Sequence, residues 1–416
     1  MTSLPRGAWQ DVARATGLLS PTGTSSADVA STIFAEMSAL AAATGAINLG
    51  QGFPDVDGPD YVKQAAVAAI QGDFNQYPPG PGVPELRRAV AAHQARHYGL
   101  DVDPDTEVLV TTGATEALAA TVLALAGPGD EVITLEPFYD SYAAVVALAG
   151  ATHVPVALAP ADGGFRLDVD ALRATASDRT RLILVNTPHN PTGTVLTRAE
   201  LEAVAAVARE RDAVVVTDEV YEHLTFDGAV HVPVATLPGM AERTLTISSS
   251  GKTFSLTGWK IGWVHGPAEL VTAVRTVKQF LTYVSGAPFQ PAIARALADD
   301  ETPRRLAASL AARRDLLCEG LEAAGFDVVV PRGTYFVVAD GARVIERVAG
   351  LPDDADGAEL CRRLPELAGV AGIPLTAFCR DGSPTHAALR TSVRFTFVKR
   401  EDVLREAVAR LGSLGS

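Results

Sequence analysis

Lysine is the scarce cation of this chain: Lys63, Lys252, Lys260, Lys278 and Lys399 stand against thirty arginines. A composition that prefers Arg so strongly leaves each Lys a candidate for work that a guanidinium cannot do. Forming an imine with a carbonyl compound is such work, because it needs a deprotonable primary amine. Lys252 lies in Ser248-Ser249-Ser250-Gly251-Lys252-Thr253-Phe254, a run of small residues that would admit a bulky planar ring. A loop lysine by itself is usually a solvated charge, so this reading depends on its companions.

Three runs could supply them. Val110-Thr111-Thr112-Gly113-Ala114-Thr115-Glu116 passes from a strand pattern into an apolar helix pattern. Free backbone N–H groups and the positive end of the helix dipole meet at such a junction and suit a phosphate dianion. Ser249 and Lys260 could add a hydroxyl and a cation, although the Gly-Ala-Thr piece alone is equally an ordinary helix cap. Asp218 ends the apolar run Val214-Val215-Val216-Thr217, where a buried parallel strand presents groups to ligands. A carboxylate there could keep a pyridine nitrogen protonated, or it could cap the next element. Tyr221, three residues on, could point the same way. In Asn186-Thr187-Pro188-His189-Asn190-Pro191-Thr192-Gly193, two X-Pro bonds and a glycine make a rigid turn that would hold Asn190 as a second donor.

The elements that must position these residues follow from periodicity. Short apolar runs at 107–111, 131–135, 152–156, 181–185, 213–217, 244–248 and 260–264 read as strands. Several are continuously apolar, as when helices cover both faces of a sheet. Helical patterns at 115–126 and 198–211 alternate with them, which predicts an α/β domain built on a mainly parallel, seven-stranded sheet. After about Pro288 the pattern changes to helices at 291–298, 303–324 and 400–411, with short strands at 326–330, 335–338 and 393–397. This predicts a smaller α+β domain from 29–60 and 291–416, beside a large domain over 61–290. Residues 1–28 are rich in Ser, Thr, Gly and Ala without periodicity and read as a loose arm.

The bulk numbers exclude other classes. A net charge of −14 argues against nucleic acid or an anionic membrane as partner. The apolar runs at 117–126 and 143–149 stop well short of a membrane span, and the N-terminus lacks a secretory pattern. Cys318, Cys361 and Cys379 have no paired spacing, which fits a reducing compartment, the cytoplasm, better than a disulfide framework or a zinc site. Gly80-Pro81-Gly82 is filled by proline and follows no strand, so it is not a dinucleotide fingerprint.

Taken in order, the motifs resemble those of fold-type I enzymes dependent on pyridoxal 5′-phosphate, and among them the class I/II aminotransferases. The landmarks include Asn48-Leu49-Gly50-Gln51-Gly52-Phe53-Pro54, Asn75-Gln76-Tyr77, Gly113-Ala114-Thr115-Glu116, Asn190-Pro191-Thr192-Gly193, Asp218-Glu219-Val220-Tyr221, Ser249-Ser250-Gly251-Lys252, Gly258-Trp259-Lys260, Gly333-Thr334-Tyr335-Phe336 and Arg394-Phe395. The resemblance implies that Lys252 holds the cofactor as a Schiff base, Asp218 pairs with the pyridinium, and Asn190 and Tyr221 hold the phenolic oxygen. It implies that Gly113, Ala114, Thr115, Ser249 and Lys260 form the phosphate cradle, that Tyr139 stacks on the ring, and that Arg394 grips the substrate α-carboxylate beside Gly52. It further implies a homodimer in which Tyr77 and the region of Tyr283 enter the neighbouring subunit's site. Amino acids and 2-oxo acids, with 2-oxoglutarate as acceptor, are the implied substrates.

Closer resemblance extends to N-succinyldiaminopimelate aminotransferases of lysine and diaminopimelate biosynthesis. It rests on Gln76-Tyr77-Pro78-Pro79-Gly80-Pro81-Gly82, Glu136-Pro137-Phe138-Tyr139-Asp140-Ser141-Tyr142 and Tyr283-Val284-Ser285-Gly286-Ala287-Pro288-Phe289-Gln290. Kynurenine, methionine and glutamine aminotransferases share nearly the same motifs and form the alternative, and a carbon–sulfur β-lyase shares every cofactor contact. A distal carboxylate on the substrate calls for a second cation, with Arg380, Lys278 and Arg332 as candidates.

Overall fold

The computed structural model describes residues 7–414 except 21, 24, 26, 27, 162, 349 and 353. Its main sheet contains strands β1 (Val108–Thr112), β2 (Glu131–Glu136), β3 (Thr152–Ala161), β4 (Gly164–Leu167), β5 (Thr180–Asn186), β6 (Val214–Asp218), β7 (Thr244–Ser249) and β8 (Ile261–His265). Their spatial order is β1-β8-β7-β6-β5-β2-β3-β4. All seven expected strands are present. The eighth, β4, forms a hairpin on β3 and extends the sheet at one edge. The β7-β6-β5-β2-β3 core is parallel, whereas β8 runs antiparallel to both its neighbours. Burial on both faces explains the unbroken apolar runs: every residue of β2 is buried, and so are Leu182–Asn186 and Val215–Asp218.

Helices cover the sheet where periodicity and caps predict. Gly113–Leu125 is apolar almost all round and packs against β1, β7 and β8. Arg198–Glu210 starts with a capping box, in which Thr197 and Glu200 satisfy each other's backbone N–H groups, and buries Leu201, Val204, Ala205 and Ala208. The expected loose arm is ordered in part: Ala8–Ala15 is a helix that lies on Asp140–Leu148 and buries Ala13. Residues 1–6 of that arm lie outside the described residues.

The second layer holds a four-stranded antiparallel sheet of β9 (Asp327–Val329), β10 (Phe336–Asp340), β11 (Ile373–Pro374) and β12 (Ser392–Thr396), ordered β9-β10-β12-β11. A two-residue strand, Ile47–Asn48, pairs with Val370–Ala371, which ties the segment before residue 60 to this layer. Helix Gln290–Ala296, however, packs on Asp60–Gln71 and Pro84–Tyr98 beside the large sheet. We propose a domain boundary between this helix and the next, Glu301–Ala323, which packs on Glu401–Leu411 and on β9 and β10. No helix of the described residues is long and apolar enough to cross a membrane.

Candidate active site

The parallel strands β5 and β6 end in register at Asn186 and Asp218. Outside these carboxyl ends, where open α/β sheets bind ligands, a cavity of about 370 Å³ opens towards the second layer. It brings together Gly52, Gly113, Ala114, Thr115, Tyr139, Asn190, Asp218, Tyr221, Ser249, Lys252, Lys260 and Arg394. Tyr77 alone among the expected site residues is elsewhere: it is 81% exposed, with its ring edge-to-face on Tyr283 at 5.4 Å.

Each side chain is aimed by its element. Lys252 sits on the single turn Ser250–Thr253 that follows β7 directly, so its position is tied to a fully buried strand. Its Nζ donates to the Tyr335 hydroxyl at 2.8 Å, and that hydroxyl donates to the Gly52 carbonyl at 2.6 Å. At the other end of the cavity, Gly113 opens the helix Gly113–Leu125 at φ +71°, a backbone state that favours glycine. Gly262 on β8 lets this turn press close, since a Cβ there would lie 2.6 Å from the Gly113 carbonyl carbon. Lys260 reaches the same turn from a left-handed backbone position, with φ 55°. Backbone donors, a hydroxyl and an ammonium therefore surround one end of the cavity, as an anion requires.

Asp218 is buried, and burial pushes its carboxyl up to about 6, opposed by hydrogen bonds from Tyr142 and the Val220 amide. The Tyr142 hydroxyl donates to Oδ2 at 2.8 Å. No Lys, Arg or His lies within ion-pair distance of Asp218 among the described residues, so the carboxylate suits a cationic ring nitrogen brought by a ligand.

Arg394 shows the converse lack. It is buried on β12, with its guanidinium 4.0 Å from the Phe336 ring centroid and 4.5 Å from that of Phe378. It donates to Asn190 Oδ1 at 2.9 Å and to the Gly50 carbonyl at 2.8 Å, while its Nε has no partner among the described residues. Burial lowers its pKa to about 10, which still leaves it charged at neutral pH. Because Asn190 Oδ1 is occupied by Arg394, the same amide keeps Nδ2 as a donor. Gly52 is needed for a local reason: a Cβ there would meet the Phe336 ring at 2.3 Å.

Sequence reading missed several residues here. Tyr142 and Tyr335 were seen only as parts of longer runs, yet they hold Asp218 and Lys252. Asn186 accepts from the Asn190 amide at 2.7 Å and donates to the Asp218 carbonyl at 2.8 Å, so it locks both loops together. Asn186 sits at the end of an apolar strand inside the quoted Asn-Pro motif, a signal that could have found it. The three candidates for a distal carboxylate are not in the cavity. Arg380 turns to the His153 carbonyl, Lys278 is buried against the Tyr283 carbonyl, and Arg332 lies near the Asp227 carbonyl.

Comparison with known proteins agrees with this geometry. The chain is 56% identical, over 92% of its length and 96% of the relative's, to a probable N-succinyldiaminopimelate aminotransferase of Mycobacterium tuberculosis. The solved structure of the enzyme of that name from Mycobacterium tuberculosis superposes with a TM-score of 0.88, covering 92% of this chain and 97% of that one. Methionine aminotransferase of Escherichia coli is 40% identical over 92% of this chain and 96% of its own. Residues 44–411 match the family model for class I and II aminotransferases. The chain belongs to that family, whose members work with pyridoxal phosphate.

Proposed function

We propose that the protein moves an α-amino group from N-succinyl-LL-diaminopimelate to 2-oxoglutarate, with Lys252, Asp218 and Tyr221 as its catalytic residues. The observation that carries the site assignment is that one cavity holds, among the described residues, a lysine amine bonded only to a hydroxyl, a buried carboxylate without a cation, and a buried guanidinium without an acid. When bound, pyridoxal phosphate supplies an aldehyde that condenses with amines and a cationic ring that withdraws electrons from Cα. The backbone of Gly113, Ala114 and Thr115, with Ser249 and Lys260, would hold its phosphate. Asp218 would keep the ring nitrogen protonated, and Tyr221 and Asn190 Nδ2 would meet the phenolic oxygen. Tyr139 would cover one face of the ring. The freed Lys252 amine would take the proton from the substrate Cα, steadied by Tyr335. Arg394 would receive the α-carboxylate as a two-pronged donor.

Support for the substrate comes from the 56% identity to the Mycobacterium tuberculosis relative. The aromatic lining favours a second reading. Phe34, Phe53, Phe336 and Phe378 face the cavity, and its cations are Lys252, Lys260 and Arg394, which leaves an apolar side chain such as that of methionine well served. A neighbouring copy would relieve this shortage of polar partners. Tyr77, Phe280 and Tyr283 are large and exposed, which supports a homodimer with shared sites. Three free cysteines suit the cytoplasm.

Mixing the purified enzyme with N-succinyldiaminopimelate, methionine, kynurenine and glutamate, and following the cofactor's visible absorbance, ranks the donors. The succinylated amine and glutamate are expected to react fastest. Faster reaction with kynurenine or methionine would transfer the assignment to the second reading, and release of pyruvate from cystathionine would indicate a lyase.

Asp218 yields a prediction with a definite sign. In the cofactor-free fold its carboxyl titrates at about 6, above the ~3.9 of an unfolded chain. Folding therefore favours the protonated form. The ionised form costs stability, from nothing below about pH 4 to at most about 3 kcal/mol above pH 6. Cofactor-free Asp218→Asn is expected to melt no lower than the wild type at pH 8, with the difference vanishing towards pH 4, while binding pyridoxal phosphate more weakly. Thermal scans of both cofactor-free proteins at the two pH values check this; a variant that melts lower at pH 8 contradicts it.

A further inference from the structure

On the far side of the turn that carries Tyr221, three histidines converge. One ring nitrogen from each of His93, His97 and His223 lies within 4.8 Å of the other two. His93 and His97 are four residues apart on the helix Pro84–Tyr98, so they stand one above the other on one face. His223 comes from the segment after β6, two residues past Tyr221. The Nε2 atoms of His93 and His223 are 2.7 Å apart. Two neutral imidazoles share a single proton at such a contact, so one of the two nitrogens offers a lone pair.

The surroundings suit a cation. Glu222, next in sequence to His223, is buried, and its carboxylate oxygens accept from the hydroxyls of Tyr98 at 2.7 Å and Ser248 at 2.6 Å. Those donors are neutral, so among the described residues the buried negative charge beside the cluster has no Lys or Arg bonded to it. Asp300 places Oδ1 3.1 Å from His97 Nε2. Arg96, a competing charge on the same helix, is held on Asp300 at 2.9 Å and on the Leu297 carbonyl at 2.7 Å. The histidines also line a second cavity, of about 510 Å³, distinct from that of Lys252.

We propose that His93, His97 and His223 bind a divalent first-row cation of the zinc type, with a fourth position open to this second cavity. Three imidazoles without a thiolate select zinc, nickel, cobalt or copper over magnesium and calcium, which take oxygen ligands. Tetrahedral zinc with Zn–N bonds of about 2.0–2.1 Å needs its nitrogens roughly 3.3 Å apart. Opening the His93–His223 contact by rotation of the partly buried His223 ring provides that spacing, and His97 would close in by exchanging its Asp300 contact for the ion. With the Gln94 amide turned so that Oε1, which has no partner among the described residues, takes the place of Nε2 3.3 Å from His93 Nδ1, it would accept the Nδ1–H and leave Nε2 to the ion. A bound ion would tie the helix Pro84–Tyr98 to the turn that brings Tyr221 into the active site.

The test uses the enzyme loaded with pyridoxal phosphate and stripped of metal by a chelator, titrated with Zn²⁺ in a calorimeter. One zinc per chain is expected, bound at least about tenfold more weakly (about 1.4 kcal/mol) by His97→Ala, and not bound at this site by His97→Ala/His223→Ala. Retained cofactor absorbance reports that both variants are folded. X-ray absorption on zinc-loaded wild type provides a readout that needs no variant, and three imidazole nitrogens at about 2.0 Å are expected. Zinc uptake no greater than that of the double variant, or a shell of oxygen ligands alone, overturns the proposal.

Discussion

Replacing Lys252 with alanine should lower turnover by about 10⁴-fold, the upper end of what a positioned proton-transfer group contributes. It should also remove the visible absorbance that the lysine-bound cofactor gives. The size of the effect follows from the isolation of the amine. Its Nζ has one neutral partner, Tyr335, and that hydroxyl is already committed to the Gly52 carbonyl. Among the residues lining the cavity the other amine is Lys260, which sits at the Gly113 turn and is not placed to substitute. Lys252→Arg is the sharper variant, since it keeps charge and bulk but can neither form an imine nor give up its proton at neutral pH. It is expected to be as inactive as the alanine. Pyridoxal phosphate should still bind through the phosphate and ring contacts, but reversibly, so that gel filtration removes it. Wild-type turnover or absorbance in Lys252→Arg would remove Lys252 from the mechanism.

The second large effect belongs to Arg394. Truncating one member of a buried, hydrogen-bonded charge pair costs about 2–5 kcal/mol, so Arg394→Ala should raise KM for donor and acceptor by roughly 30- to 4000-fold. Turnover at saturation should fall less. Arg394→Lys should recover only part of the loss, because an ammonium cannot offer two parallel N–H groups to a carboxylate. Steady-state kinetics with the best donor check both variants. A change confined to kcat would show that Arg394 acts on the chemical step rather than on carboxylate binding.

Most of what could be read in advance was local. The strands at 213–217 and 244–248 were legible because continuous burial leaves an unbroken apolar run, and the motifs ending in Asp218 and Lys252 kept their order and spacing. What escaped was set by distant pairings. Tyr142 reaches Asp218 across 76 residues and Tyr335 reaches Lys252 across 83, and no periodicity encodes such contacts. The placement of β8, antiparallel between β1 and β7, is likewise a property of the sheet and not of residues 261–265. Helix Ala8–Ala15 was overlooked because it has no side-chain cap at its N-terminus and is flanked by Ser, Thr and Gly. Arg380, a reasonable partner for a distal carboxylate by composition, is diverted by a nearby backbone carbonyl.

The packing of Arg394 on Phe336 and Phe378 has a stereochemical consequence. A guanidinium packed on two rings, with Asn190 and Gly50 fixing its edge, is held against swinging to follow a misplaced carboxylate. If Arg394 receives the carboxylate as proposed, and the amino nitrogen is directed to the cofactor, only one choice of configuration at Cα would turn its hydrogen towards Lys252. The mirror-image substrate would present its side chain to the amine instead. In that role the stacked arginine would make the cavity a reader of handedness.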